Sequence, residues 1–125
     1  MSRVSIRYMI NDVPAAIRFY TTHLGFTLEK DASPAFASVV RDGVRLLLSG
    51  DGSSGKRPLP DGRVQSPGGW NRLHLEVTGI EAEAARLRVA GVHFRMDELV
   101  SGPGGVQTII DDPSGNPIEL FEPRR

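Results

Sequence analysis

Arg72, His74 and Glu76 alternate along one stretch of the chain, and Glu119 and Phe121 alternate along another. Residues two apart in a strand share a face, so each set presents its side chains together. Imidazoles and carboxylates can ligate a divalent ion, which needs three or more such donors at one point. With a guanidinium beside them, the same groups can instead anchor an organic molecule through directional hydrogen bonds. The one metal set on offer is His74, Glu76 and Glu119. Alternate strand residues lie about 6–7 Å apart, so His74 would have to reach sideways to share an ion with Glu119. A metal-free pocket with these groups as polar anchors is therefore the expectation. Buried charges need partners, so Arg72 is expected to pair with Glu119 or Glu76. A structural role for His74, hydrogen-bonded across strands, stays open. His23 and His93 are expected at the surface.

Other chemistries are excluded more simply. The chain of 125 residues has no Cys, which removes disulfides, thiolate metal sites and cysteine nucleophiles. No serine stands in a nucleophile elbow. Fifteen basic against fifteen acidic residues leave no net charge, unlike a general nucleic-acid binder. Met1 to Arg7 lacks an apolar signal core, and no apolar run is long enough to span a bilayer. The expectation is one soluble cytoplasmic domain over residues 1–125. Only Lys30 and Lys56 are lysines among the basic residues, which suits a GC-rich bacterial genome.

The elements that must position these groups follow from periodicity. Val4 to Asn11 alternates as a strand, with Ser5, Arg7 and Met9 on one face and Val4, Ile6, Tyr8 and Ile10 on the other. Asp12 caps a helix with Pro14 in its first turn and Val13, Ala16, Ile17, Tyr20 and Leu24 at helical spacing; Gly25 ends it. Strands are predicted over 26–30, 35–41 and 44–49, the last placing Arg45 and Leu47 on one face. Asp31 to Pro34 and Asp42-Gly43 are the turns. Residues 50–69 are rich in Gly, Pro and Ser and read as a flexible lid or arm carrying Lys56, Arg57 and Arg63. A strand over 70–77 follows, then a helix with Ile80, Ala84 and Leu87 and a capping box of Thr78 with Glu81. Further strands are predicted over 93–96, 106–111 and 117–121, with Ser101 to Gly105 as a hairpin turn. Trp70 heads the second half, either as an aromatic face for a planar ligand or as a core plug or dimer contact.

These halves repeat. Ile10-Asn11-Asp12 with Leu24-Gly25-Phe26 corresponds to Val77-Thr78-Gly79 with Ala90-Gly91-Val92. Two copies of strand–helix–strand–strand–strand result, over 1–49 and 70–125, each helix covering one face of its sheet. The opposite faces are expected to curl around a shared cavity.

The pattern Asp12-x-x-Ala15-Ala16-x-x-Phe19-Tyr20-x-x-x-Leu24-Gly25-Phe26, with the ending Asp111-Asp112-Pro113-Ser114-Gly115-Asn116-Pro117-Ile118-Glu119-Leu120, resembles the vicinal oxygen chelate superfamily of glyoxalases, bleomycin-resistance proteins and extradiol dioxygenases. The resemblance implies an α+β fold of two βαβββ modules, paired as a homodimer. It also implies four metal-ligand positions, which fall on Ser5, Leu47, Arg72 and Glu119. Only Glu119 is a ligand type, Leu47 cannot coordinate, and Arg72 would repel the ion.

The expected function is therefore sequestration of a natural-product antibiotic, such as a bleomycin-type glycopeptide or a polycyclic enediyne, without cofactor, metal or catalytic residue. The expected ligand contacts are Arg7, Met9, Arg45, Leu47, Trp70, Arg72, His74, Glu76, Glu119 and Phe121. No nucleic-acid or membrane partner is expected. The competing readings are a metal-dependent lyase, isomerase or dioxygenase, and a module that binds a cellular metabolite.

Overall fold

A computed structural model describes residues 4–124; Met1 to Arg3 and Arg125, counted in the expected domain, lie outside the described residues. The chain divides between Gly68 and Gly69 into two compact units. The first contains β1 (Ser5–Met9), α1 (Val13–His23), β2 (Thr27–Ala32), β3 (Phe36–Arg41) and β4 (Val44–Ser49). The second contains β5 (Leu73–Glu76), α2 (Ile80–Val89), β6 (Val100–Ser101), β7 (Gly105–Asp111) and β8 (Pro117–Pro123). Their sheets have the same topology, β1-β4-β3-β2 and β5-β8-β7-β6. In each, the first strand runs parallel to the last and the other pairs are antiparallel. These are the two βαβββ modules of the expected α+β fold.

In the first unit, alternation decides which face is covered. Tyr8, Ile10, Ala37, Val39, Leu46 and Leu48 are buried with Val13, Ala16, Phe19 and Tyr20 of α1. Burying each large side chain contributes about 1.5–3 kcal/mol. Tyr20 meets Phe19 and Phe26 edge-to-face at 5.1 and 5.5 Å, the favoured geometry for ring quadrupoles. Asp12 caps α1 as expected, accepting the N–H of Ala15 at 3.0 Å. Gly25 leaves the helix at φ 70°, a conformation without penalty only for glycine. β2 continues to Ala32, through two residues expected in the turn, and Ser33 donates both its hydroxyl and its N–H to Asp31. Those hydrogen bonds hold the Asp31 carboxyl below its ordinary pKa, the hydroxyl having the larger effect.

Residues 50–69, expected as a lid or arm, contain local structure. One 3-10 turn spans Ser54–Lys56. The Lys56 side chain is nearly buried, and Nζ donates to the Ile10 carbonyl at 3.1 Å and to Asp51 at 2.8 Å. A tighter turn follows, in which Leu59 donates to Arg63 and Gly62 to Leu59. Lys56 is thus part of the first unit's framework and not a free cation.

The second unit departs from expectation at three elements. β5 begins at Leu73, so Trp70 and Arg72 precede the strand. The capping box does not form: the N-cap is Gly79, at φ 72°, which has no side chain to cap the helix. Instead Glu122 of β8 accepts the N–H groups of Gly79 and Ile80 at 2.8 and 3.0 Å. The strand expected at 93–96 reduces to a single bridge, Phe94 to Ile110, and the edge strand β6 lies later. Just beyond that bridge, Arg88 donates to the carbonyls of Met96 and Asp97 at 3.4 and 2.9 Å. No helix among the described residues is long and apolar enough to cross a membrane.

Candidate functional site

The parallel pairing of β1 with β4 sets Ser5 opposite Arg45, Arg7 opposite Leu47 and Met9 opposite Ser49. This row lies on the face away from α1, as the alternation predicts. Ser38 extends it, because it faces Leu47 on β3. Glu29, at a bulge in β2, receives the Ser38 hydroxyl at 2.9 Å and the Nε and Nη2 groups of Arg45 at 2.6 and 2.7 Å. Arg45 is therefore neutralised side-on by Glu29, a partner the sequence reading missed because it lies 16 residues away on another strand. Arg7 donates Nη1 to the buried Ser49 hydroxyl at 2.8 Å.

In the second unit, β5 sets His74 opposite Glu119 and Glu76 opposite Phe121. Glu119 is 8% exposed, the only buried residue of the ten expected contacts. One of its oxygens receives Arg72 through Nε at 3.0 Å and Nη2 at 2.9 Å; the other stands 3.6 Å from Nε2 of His74. Arg72 is fixed further by donating Nη1 to the Trp70 carbonyl at 3.0 Å. The His74 ring leans on Phe121 at 4.9 Å. Arg72 and Glu119 are thus the expected ion pair, and Glu76 lies one register step away, opposite Phe121.

Trp70 is 74% exposed, so it is no core plug. Behind it, the Arg95 guanidinium lies 5.1 Å from the ring. Arg95 donates to Asp111 and to the carbonyls of Gly69 and Gly115. Asp111 also bonds Nδ1 of His93 at 2.8 Å. His93 is at the surface, as expected. The Trp70–Arg95–Asp111–His93 chain was not foreseen, since its members are scattered from 70 to 111. A depression of about 800 Å³ beside β2 and β3, bordered by Leu28, Glu29, Val40 and Arg41, contains none of the ten expected contacts.

The model of the glyoxalase/bleomycin resistance protein/dioxygenase superfamily matches residues 3–120. The chain belongs to this superfamily. Among solved structures, TnmS3, an antibiotic binding protein from Streptomyces sp. CB03234, is 27% identical with a TM-score of 0.73, over 99% of this chain and 98% of that one. A superfamily member from Sphaerobacter thermophilus DSM 20745 is 27% identical with a TM-score of 0.75, over 98% and 97%. Lactoylglutathione lyase from Agrobacterium tumefaciens, 18% identical with a TM-score of 0.69 over 97% and 92%, shares the fold. No curated protein matches the chain.

The metal-dependent members of the superfamily need ligands, and the residues at the four positions that the resemblance assigns to them do not fit a metal. Ser5 and Leu47 offer one hydroxyl and no donor, while Arg72 brings a cation that already occupies Glu119. Among the described residues no three His, Asp or Glu side chains are grouped to hold an ion. What the arrangement offers is hydrogen-bonding and stacking on exposed sheet faces.

Proposed function

We propose that the chain binds an aromatic, partly polar natural-product antibiotic without turnover, and that it protects a cell by sequestration. The observation that carries this reading is Arg72, whose guanidinium is committed to Glu119 at one of the positions that the resemblance assigns to a metal ligand. The 27% identity to an antibiotic binding protein over nearly the whole chain supports it. The proposed contacts are Arg7, Met9, Arg45 and Leu47 on the open face of the first module, and Trp70, Arg72, His74, Glu76, Glu119 and Phe121 on the second. A bleomycin-type glycopeptide or a polycyclic enediyne has the aromatic area for Trp70 and the polar groups for Arg and Glu. We also propose that the working form is a cytoplasmic homodimer.

Ligand-induced thermal stabilisation across a natural-product library tests this, since tight binding to the native state raises the unfolding temperature. At a ligand concentration about 100 times Kd, the gain is about 2.7 kcal/mol. Polycyclic antibiotics are expected to stabilise the protein, and Trp70→Ala to reduce that gain. A library that leaves the transition unmoved, together with stoichiometric zinc, nickel, manganese or iron lost in Glu119→Ala, would overturn the proposal in favour of a metalloenzyme.

A further inference from the structure

Among the proposed ligand contacts, three arginines stand at or beside the open sheet faces, and two of them are neutralised. Arg45 is held by Glu29 and Arg72 by Glu119. Arg7 is the third. Among the described residues its only hydrogen bond runs from Nη1 to Ser49, and it forms no ion pair. The guanidinium is nevertheless fixed in place. Ser49 is fully buried at the end of β4, and the 3-10 turn closes over the side chain from the other side. A Cβ on Gly55 would overlap the Arg7 guanidinium, so this close approach depends on glycine. Lys56, the next residue, pins that turn to Ile10 and Asp51.

The edge left unclaimed is the one formed by Nε and Nη2. Arg45 shows on the same sheet what such an edge takes: its Nε and Nη2 receive the two oxygens of the Glu29 carboxylate side-on. Side-on pairing of this kind is the strong, geometrically selective form of the arginine–carboxylate contact. Immobilising an arginine costs side-chain entropy, and at Arg7 no internal ion pair offsets it.

We propose that Arg7 is an oxyanion subsite that selects a ligand bearing a planar carboxylate. This rests on the binding function above and narrows its ligand class. The Nε–Nη2 edge takes the carboxylate, Ser49 fixes the rotation of the guanidinium, and Gly55 leaves room for it.

The test is an NMR titration of the whole protein with 2-naphthoate, 2-naphthamide and inorganic phosphate, following the Arg7 Nε–H resonance. Naphthoate should shift that resonance saturably and bind about tenfold more tightly than the amide, as a charge-assisted side-on pair requires. Arg7→Gln should abolish the preference. Gly55→Ala, which keeps the charge but displaces the guanidinium, should remove most of it. Phosphate should compete only weakly, since it lacks the aromatic area. Equal binding of acid and amide, or a preference that survives Arg7→Gln, overturns the proposal. Retention of the full preference in Gly55→Ala overturns the positioning part of it. Carboxylate-bearing antibiotics that bind wild type and Arg7→Gln equally would keep the sequestration reading and sink the carboxylate subsite. A naphthoate preference without any library ligand would do the reverse.

Discussion

Arginine divides the open faces into spent charge and available charge. At Arg72 the guanidinium is spent, and with it the Glu119 oxygen that a metal would need. The alternation of β1, β5 and β8 made Arg7, His74 and Glu119 legible as open-face residues, because a period of two fixes the face without knowledge of the neighbours. Their partners were legible only in part. Arg72 with Glu119 follows from the need to neutralise a buried carboxylate. Glu29 beside Arg45 and Arg95 beside Trp70 depend on strand register and a loop path, which no local pattern encodes. One buried group also lacks a described partner. Thr108 is fully buried on β7, and its hydroxyl forms no hydrogen bond among the described residues. A buried unpaired hydroxyl costs about 1–3 kcal/mol. Thr108→Val keeps the shape and removes the group, so it should stabilise the protein by about 1 kcal/mol. A lower denaturant midpoint in the valine variant would contradict this.

Elements were predicted well where a local signal and the tertiary requirement agree. α1 has a side-chain cap, an apolar stripe and a terminating glycine in the expected places, and β4 covers the expected residues. α2 differs because its cap is supplied from 42 residues away. Glu122 satisfies two N–H groups that open the helix, and its charge opposes the positive end of the helix dipole. Thr78 and Glu81 satisfy the capping-box pattern in sequence only. Glu122→Ala should therefore cost about 1 kcal/mol, and Thr78→Ala should cost much less, as read by thermal unfolding of the two variants. Equal losses would restore the local box. Before β6 the expected strand is cut short. His93 to Arg95 still exchanges two backbone hydrogen bonds with β7, and beyond it Arg88 takes the carbonyls of Met96 and Asp97.

For the whole molecule, the internal repeat was the most informative signal. It predicts two modules of one topology, and equivalent bonds close both: Ile10 donates to Ser49 in the first and Val77 to Phe121 in the second. The repeat also shows how one fold carries unlike chemistry. Residues at equivalent registers, such as Arg7 and His74 or Leu47 and Glu119, are free to differ because neither supports the core beneath the helix. Function was legible less directly than fold, since binding surfaces need no fixed catalytic pattern. The central claim is binding without a metal and without conversion. It is tested most directly by titrating chelator-treated protein with a polycyclic enediyne or a bleomycin-type glycopeptide and recovering the ligand for mass analysis. The account predicts saturable binding whose affinity is unchanged by the chelator, with the ligand recovered at its original mass. Ligand converted to a product, with conversion lost on chelation and restored by a divalent metal, would contradict it.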